Sequence, residues 1–247
     1  MASIKALDVS KHQHSFDPVT AKAAGIDAVI TRLAYAASPD RLALSWCPAI
    51  KAAGLRLGAF GFATWHYLSR CGGSVDKARQ LMIQQVDSWI TQAQQHGVDW
   101  WFGLDQECES HRGERMALDK AVNTAILNEA CDRLAAAGLH PCVYCSTSWD
   151  KQHISTADLR WPYWLARYVD GDADFGDPGA DLDRLSDSKT TAFMRRMRDE
   201  GRLVGWQYGS TGHGHQYGAG SDNIDRNIFI WMCPMTGPER TKIVWIL

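Results

Sequence analysis

The sequence predicts an α/β protein, an irregular TIM-like β/α barrel of about eight strands whose helices are weaker in the second half. Two observations predict this class. Short runs rich in β-branched and aromatic residues alternate with longer amphipathic segments, which is typical of parallel strands joined by helices. About eight such runs in a chain of 247 residues fit a closed barrel better than an open sheet.

Each predicted strand is a short apolar run that ends at polar or turn-forming residues. In chain order, the predicted strands are Ile4–Val9, Ala28–Leu33, Arg56–Phe62, Trp100–Leu104, Cys142–Tyr144, Tyr163–Ala166, Leu203–Gln207 and Ile228–Trp231.

The predicted helices are segments with apolar residues at helical spacing, namely Asp17–Ala24, Ser45–Ala53, Val75–Gln95 and Met116–Ala137. The last of these is followed by Gly138 and then Pro141, a combination that commonly ends a helix. After Tyr163 the helical spacing weakens, so the second half of the barrel is predicted to be irregular.

The whole chain, residues 1–247, is predicted to form one domain, because no internal repeat, low-complexity linker or domain boundary is visible. The C-terminal tail, Pro234–Leu247, ends in an apolar stretch, and we expect it to pack back on the barrel. We expect a monomer.

The composition restricts the classes of partner. A hydrophobic fraction of 45% is enough for a sizeable core. The net charge of −2 argues against nucleic acid and against an anionic membrane surface as partners. No apolar stretch approaches the roughly 18 residues that would cross a bilayer. The N-terminus enters a predicted strand without a basic and apolar leader, so either the chain is made in the cytosol and released by other means, or a leader has been removed.

The cysteines and histidines do not indicate a metal site. Seven cysteines spread over the chain are an odd number and do not form a disulfide framework. Cys142 and Cys145 have the spacing of a zinc or redox pair but lie on a predicted strand, where they face opposite ways, so we interpret them as buried thiols. The acidic stretch Asp170–Gly176 lacks the glycine position and closing Glu of a calcium loop. His213 and His215 lack ordered partners for zinc.

Asp105 and Glu107 are the most informative pair of residues in the sequence. They follow the buried, aromatic strand Trp100–Leu104, and positions i and i+2 of a strand share a face at roughly 6.6 Å of rise. Two acids on one face repel each other, which raises at least one pKa. A protonated acid beside an ionised one is the equipment for cleaving a glycosidic bond. A pair of solvated loop carboxylates is the alternative on this motif alone.

Two further acids are placed at the same end of the predicted barrel. Asp8 follows the apolar run Ile4–Leu7 of the first strand, and Asp225 lies at the edge of the last strand. In barrels of this class, the chemistry takes place at the C-terminal ends of the strands. Four carboxylates that converge on one mouth would be costly to bury without a function.

The ordered motifs resemble those of the family 25 glycoside hydrolases, the lysozymes that cut peptidoglycan. The opening Leu7–Gln13, with its Asp-Val-Ser, and the Asp-x-Glu of Leu104–Glu107 resemble the family's signatures, as does the closing Asp-x-Asn of Ile224–Asn227. The segments between them match later strands of the family in the right order: Ala28–Arg32, Leu57–Ala63, Val143–Tyr144, Tyr163–Tyr168 and Gly205–Tyr208. The resemblance covers about residues 4–231.

This resemblance implies a muramidase that cleaves the β-1,4 bond between N-acetylmuramic acid and N-acetylglucosamine without a cofactor. By position, Glu107 would be the general acid, and Asp105 would be the nucleophile or would orient the substrate's 2-acetamido group for internal attack. Asp8 and Asp225 would position the substrate and raise the pKa of the acid. The residues expected to bind substrate are Phe60, Tyr144, Trp164, Tyr168, Gln207 and Asn227.

Three positions depart from the family pattern. Phe60 and Gly61 stand where the family carries Tyr and then His, and we expect this loss of a hydroxyl and an imidazole near the groove to alter the sugar contacts. His14 stands near the family's usual glycine after the Gln of the opening motif.

Two other functions stay open at this stage. A chitinase-like N-acetylhexosaminidase would use the same acetamido chemistry, and a protein that binds peptidoglycan without cleaving it would fit the departures at Phe60 and Gly61. A muramidase without a visible leader would reach the bacterial cell wall by secretion or by phage-type release from the host cytoplasm, as an endolysin does.

Overall fold

A computed structural model describes residues 3–168 and 173–230, and in it nine strands form one sheet. The strands are β1 (Ser3–Val9), β2 (Ala28–Tyr35), β3 (Ser38–Pro39), β4 (Arg56–Phe62), β5 (Trp101–Asp105), β6 (His140–Ser146), β7 (Tyr163–Ala166), β8 (Leu203–Gly209) and β9 (Asp225–Ile230). The predicted tail Pro234–Leu247, the end of the last predicted strand at Trp231 and residues 170–172 of the acidic stretch lie outside the described residues.

Eight of the strands close into a barrel, as predicted, and the two-residue β3 is an extra strand beside β2. The closure is made by β1, which pairs in parallel with β2 on one side and antiparallel with β9 on the other. From β2 through β4, β5, β6 and β7 to β8, each strand pairs in parallel with the next.

The expectation of a parallel sheet is wrong for β9, which runs antiparallel to both β1 and β8. A parallel strand needs a crossover connection, usually a helix. The segment 210–224 before β9 contains only the 3₁₀ turn His215–Tyr217, so the chain returns across the mouth of the barrel and enters β9 from that end. A start at the mouth places Asp225, the first residue of β9, beside the ends of the other strands.

Eight helices connect the strands: α1 (Pro18–Ala23), α2 (Arg41–Ser45), α3 (Cys47–Ala52), α4 (Leu68–Cys71), α5 (Val75–His96), α6 (Lys120–Ala136), α7 (Thr147–His153) and α8 (Lys189–Asp199). Within the described residues, only α7 and α8 follow β6, which confirms the weaker helices of the second half. No helix in the described part of the chain is long and apolar enough to cross a membrane.

Two predicted helix boundaries are wrong for local reasons. The segment Ser45–Ala53 is not one helix, because α2 ends at Ser45 and α3 begins at Cys47, with a proline in its first turn. The helix predicted from Met116 begins at Lys120 instead. Asp119 caps its first turn by accepting a hydrogen bond from the main-chain N–H of Val122, and Met116 pairs with Tyr67 in a β-bridge.

Apolar side chains form two layers, one inside the barrel and one between the barrel and its helices. Cys142 belongs to the inner cluster and Cys145 to the outer one, and both are buried free thiols, as predicted. The inner cluster fills the barrel below its mouth, and it contains Ile4, Ala6, Ala28, Ile30, Phe60, Trp100, Cys142, Trp164, Val204 and Phe229. A filled interior leaves the open mouth as the place for a ligand.

Candidate active site

The four acids predicted to converge do so in one groove of about 820 Å³ at the mouth of the barrel. Asp8 is the last residue but one of β1, and Asp105 is the last residue of β5. Glu107 lies two residues beyond β5, and Asp225 is paired in register with Asp8 across the β1–β9 ladder. All four side chains line the groove.

Asp8 is held by two side-chain amides. Its Oδ2 accepts hydrogen bonds from Gln207 Nε2 at 2.8 Å and from Asn227 Nδ2 at 2.8 Å. Hydrogen bonds to the ionised form favour that form of a carboxyl group. These two donors therefore partly oppose the effect of burial, which raises the pKa of Asp8 to about 6.

Aromatic side chains orient both amides. The hydroxyls of Tyr144 and Tyr168 donate to Gln207 Oε1 at 2.7 and 2.6 Å, and the indole N–H of Trp164 donates to Asn227 Oδ1 at 2.9 Å. Because each amide oxygen is occupied by a donor, each amide N–H₂ group is turned towards Asp8. Six predicted site residues thus form one hydrogen-bonded network.

The network divides the predicted substrate-binding residues into two groups. Phe60, Tyr144, Trp164, Tyr168 and Gln207 line the groove. Asn227 is fully buried behind Asp8 and does not line the groove, so it supports the carboxylate.

Asp105 and Glu107 have no comparable support. No side-chain or main-chain donor among the described residues bonds to either carboxylate, and Asp105 Oδ1 is buried without a partner. Burial, with repulsion from Glu107 and Asp8, raises the pKa of Asp105 well above its ordinary value, and the nearby charge of Arg32 opposes this rise. Burial, with repulsion from Glu109 and Asp8, also raises the pKa of Glu107.

Asp225 completes the cluster as a neighbour of Asp8 whose protonated form is favoured. Burial raises its pKa well above the ordinary value, and repulsion from Asp8 and Glu107 adds to the rise. A proton on Asp225 can be shared with Asp8 in a hydrogen bond between the two carboxyl groups.

Sequence reasoning missed a polar edge of the groove. Arg32 and Asp40 form a buried ion pair, with 2.6 Å between Arg32 Nη2 and Asp40 Oδ2, and the hydroxyl of Tyr35 donates to the carboxylate of Glu109. A signal was present for the first pair, because Arg32 is a charged residue inside the apolar run Ala28–Leu33. Nothing in the local sequence signalled the second pair.

The departure at Gly61 does not affect the groove, which corrects the expectation from the sequence. A Cβ at this position would lie 2.3 Å from the ring of Trp89 on α5, so position 61 faces the helix layer. The indole of Trp89 occupies that space and donates to the main-chain oxygen of Ala36 at 2.7 Å. Phe60 does line the groove, with its ring edge-on to Trp164 at a centroid distance of 6.4 Å.

The departure at His14 has a backbone consequence. His14 has φ of 63°, in the left-handed region where glycine is strongly favoured. The glycine usual near this position in the family would relieve that strain.

Histidine, cysteine and acidic side chains in the described ranges form no group of three or more arranged to hold a metal ion. His215 Nε2 lies 2.9 Å from Asp222 Oδ1, and His213 Nδ1 lies 3.5 Å from Asp174 Oδ2. Both histidines therefore have acidic neighbours, which the sequence did not indicate.

Comparison with known proteins gives a family and a set of similar folds. The family model described as "Glycosyl hydrolases family 25" matches residues 7–217. No curated protein matches the chain.

Three solved structures illustrate the likeness of fold. The catalytic domain of endolysin ply40 from bacteriophage P40 of Listeria monocytogenes is 17% identical, with a TM-score of 0.63, over 93% of this chain and 94% of that one. The bacterial lysozyme from Streptomyces coelicolor is 18% identical, with a TM-score of 0.59, over 93% of each chain.

The third is the modular autolysin LytC from Streptococcus pneumoniae, in complex with a synthetic peptidoglycan ligand. It is 17% identical, with a TM-score of 0.62, and the match covers 92% of this chain but 47% of LytC. This chain therefore spans about half the length of LytC.

Proposed function

This chain belongs to glycosyl hydrolases family 25, and on that basis we propose that it hydrolyses the β-1,4 bond between N-acetylmuramic acid and N-acetylglucosamine in bacterial peptidoglycan. The observation that carries the proposal is the pair Asp105 and Glu107, a buried carboxyl group and a more exposed one, both with raised pKa, in an open groove. The peptidoglycan ligand bound by LytC, a protein of similar fold, supports the choice of substrate.

Glu107 is the proposed general acid. It must carry a proton at the working pH and give it to the glycosidic oxygen as the bond to the leaving sugar breaks. Burial and the neighbouring charges of Glu109 and Asp8 favour its protonated form. These are the conditions that an acid with this role requires.

Asp105 is the proposed partner of the forming oxocarbenium-like centre. Its carboxylate lines the groove without a hydrogen-bond donor, where it can attack the anomeric carbon or accept the N–H of the substrate's 2-acetamido group. The charge of Arg32 favours the ionised form of Asp105 while Glu107 keeps the proton. Both versions of the role need one proton shared unequally by the two acids.

Asp8 and Asp225 are proposed to position the sugar, and Asp8 to keep the local charge negative. Asp8 raises the pKa of Glu107 through repulsion, as expected from the sequence, whereas Glu109 supplies a contribution that the sequence did not indicate. The exposed ring of Tyr168 lies beside these acids, where a pyranose ring can stack on it, and the buried rings of Phe60 and Trp164 form the apolar floor of the groove.

A chitinase-like N-acetylhexosaminidase is the alternative enzyme, because the same acids would serve acetamido-assisted cleavage of chitin. A peptidoglycan-binding protein without activity is weakened as an alternative, since Gly61 faces Trp89 and the four acids all line the groove. Delivery to the wall by secretion or by endolysin-type release, and action as a monomer, remain part of the proposal.

The test is the release of reducing ends from purified peptidoglycan by the wild type and by Glu107→Gln, both checked for folding by circular dichroism. We expect activity in the wild type and a fall on the order of 10²–10⁴ in the variant, because the proton donor is lost while the shape is kept. Chitin oligomers tested in parallel distinguish the alternative enzyme by the ratio of the two rates. Wall binding without reducing ends from either protein would contradict the proposal.

A further inference from the structure

We infer that His66 is a positioning residue for Glu107. It fixes the backbone of Glu107 through a chain of hydrogen bonds in which each donor and each acceptor can be assigned in only one way. The inference rests on the proposed function for the role of Glu107, but the arrangement of the chain stands on geometry alone. His66 precedes α4, is fully buried and does not line the groove.

The Glu107 end of the chain determines which nitrogen of His66 carries hydrogen. His66 Nε2 lies 2.9 Å from the main-chain oxygen of Glu107. A carbonyl oxygen can only accept, so Nε2 must carry the hydrogen. In a neutral imidazole the other nitrogen, Nδ1, is then an acceptor, and it lies 3.0 Å from Gln106 Nε2, an amide donor.

The far end of the chain determines the orientation of Gln106. Gln106 Oε1 accepts from Asn123 Nδ2 at 3.3 Å, and the same Asn123 N–H₂ group donates to the main-chain oxygen of His153 at 3.0 Å. Because that carbonyl cannot donate, Asn123 must present its N–H₂ group here. The direction of every bond from Asn123 to Glu107 is therefore set by main-chain carbonyls at both ends.

Only the neutral imidazole, in one tautomer, fits this chain. A proton on Nδ1 would face the N–H₂ group of Gln106, which also donates. Burial and the neighbouring His153 lower the pKa of His66 to about 4, so the ring stays neutral over the range in which a carboxyl acid works. The aromatic rings of Trp65, Tyr67 and Trp149 pack around the imidazole and hold it in place.

The hydrogen bond from His66 matters for the position of Glu107, because the Glu107 carboxylate is not held by hydrogen bonds of its own. Its carboxylate accepts no hydrogen bond from the described residues, so its position depends on the main chain of residues 106–109. That main chain is tied on one side by the N–H of Gln106 to the oxygen of Tyr144 at 2.8 Å, and beyond it by the N–H of Glu109 to the hydroxyl of Tyr67 at 3.3 Å. The bond from His66 to the Glu107 carbonyl lies between these two ties.

Loss of the His66 donor would free the main chain at residue 107, so that the exposed Glu107 side chain moves away from the acids that repel it and its pKa falls towards that of an ordinary glutamic acid. The titratable groups that face Glu107 from other elements would stay in place, and they are Asp8, Asp105, Asp225, Tyr144 and Tyr168, whereas Cys108 and Glu109 lie on the same segment as Glu107. If the pKa of Glu107 depends on which nitrogen position of residue 66 is retained, the cause is therefore the hydrogen-bond chain and not these neighbours.

Two substitutions separate the two nitrogens. His66→Gln places an amide N–H₂ group near the position of Nε2 and can keep the bond to the Glu107 carbonyl, whereas His66→Asn reaches only the position of Nδ1. We expect His66→Gln to retain kcat within about threefold. We expect His66→Asn to lose about tenfold to a hundredfold in kcat with little change in KM, because a small displacement of a catalytic group has effects of this size. The alkaline limb of its pH–rate profile should also move to lower pH.

The matched control is the same pair of substitutions at His140, a half-buried histidine on the first residue of β6, at the opposite end of the barrel. Both His140 variants should keep the wild-type pH profile. Equal losses in His66→Gln and His66→Asn, in step with the loss of thermal stability and with an unchanged pH profile, would show a purely structural role and overturn the inference.

Two NMR measurements keep the inference testable: the first needs only the wild type and serves if a variant fails to fold, and both serve if the wild type proves inactive on peptidoglycan. The ¹⁵N chemical shifts of His66 in the wild type should show the Nε2–H tautomer from about pH 5 to pH 9. An Nδ1–H tautomer would contradict the assigned hydrogen-bond directions and overturn the inference. The ¹³C titration of the Glu107 carboxyl should give a lower pKa in His66→Asn than in His66→Gln. An inactive wild type with both NMR results as expected would contradict the proposed function and leave the positioning role intact.

Discussion

The two halves of the acid cluster are built in opposite ways. On the β1–β9 side, Asp8 accepts two amide hydrogen bonds, and Asp225 lies against it with a raised pKa. On the β5 side, neither Asp105 nor Glu107 accepts a hydrogen bond from any described residue. Asp8 and Asp105 are both buried, so burial does not explain the difference between the two sides, which lies in their hydrogen-bond partners.

This difference shows how one groove can keep one carboxylate ionised while the protonation state of another changes. Amide donors stabilise the ionised form of a carboxylate and make its protonation costly. A carboxylate without donors is stabilised as an anion only by distant charges, so a small change in its surroundings, such as a bound sugar, can move its proton. The β1–β9 side therefore suits positioning, and the β5 side suits proton transfer.

The largest effect is expected from Asp105→Asn, which removes a charge from the side proposed to change its protonation. We expect kcat on peptidoglycan to fall on the order of 10²–10⁴, because the neutral amide neither attacks the anomeric carbon nor balances the positive charge that develops on the acetamido group. The measurement is the steady-state release of reducing ends.

The control for this substitution is Asp150→Asn, a buried aspartic acid outside the groove that accepts from the hydroxyl of Tyr163 at 2.7 Å. It should lower the melting temperature and leave kcat within about twofold of the wild type. Similar rates for Asp105→Asn and Asp150→Asn would contradict the comparison between the two sides.

The next effect is expected from Gln207→Leu, which removes one amide donor from Asp8 and the acceptor shared by Tyr144 and Tyr168. With one fewer donor, the pKa of Asp8 should rise further above about 6, and kcat/KM should fall about tenfold, the size typical of leaving buried polar groups unpaired. The ¹³C titration of the Asp8 carboxyl measures the first effect directly.

Gln85→Leu is the matched control, because Gln85 is also a buried amide but bonds to Thr64 outside the groove. It should destabilise the fold without changing the titration of Asp8. If Gln207→Leu leaves that titration unchanged, the amide does not stabilise the Asp8 anion.

A smaller effect, on stability, is expected from Asp225→Asn. The folded-state pKa of Asp225 is raised, so the native state holds a proton that the unfolded state releases, and stability falls as pH rises above the unfolded value near 3.8. Asparagine mimics the protonated acid without this cost. The variant should melt about 2–4 °C above the wild type at pH 7, and the difference should vanish by pH 3.5. A difference that is constant across this range in thermal denaturation would argue against a raised pKa.

The smallest effect is expected from Tyr168→Phe. Tyr168 is 48% exposed, and its hydroxyl is one of two donors to Gln207 Oε1. When this hydroxyl is lost, the hydroxyl of Tyr144 keeps the amide of Gln207 oriented. We expect kcat/KM to fall about twofold to threefold. Tyr144→Phe with Tyr168→Phe should cost more than the sum of the single changes, and simple additivity would show that the two hydroxyls act separately.

Much of the fold and of the site could be predicted from local pattern. The period of the apolar residues indicated the strands and helices, because side chains alternate along a strand and repeat every 3.6 residues along a helix. Asp8 and Asp105 could be placed at the barrel mouth because each lies at the end of an apolar run. The opposite faces of Cys142 and Cys145 followed from the same alternation.

Other features could not be predicted, because they depend on contacts between distant segments. The direction of β9 is decided by a connection without an α-helix, and Gly61 is explained only by the ring of Trp89 on another element. His66 carries no local signal, because its two partners belong to the segment after β5.

By itself, the sequence determined the α/β barrel, the order of its strands along the chain and the acids at their ends, because burial and strand alternation act over a few neighbouring residues. The tertiary structure alone decided how those acids differ. Gln207 and Asp8 are 199 residues apart, and only closure of the barrel brings the amide to the carboxylate. A carboxyl group's pKa depends on the burial and donors around it, and these are set by strands that meet in space.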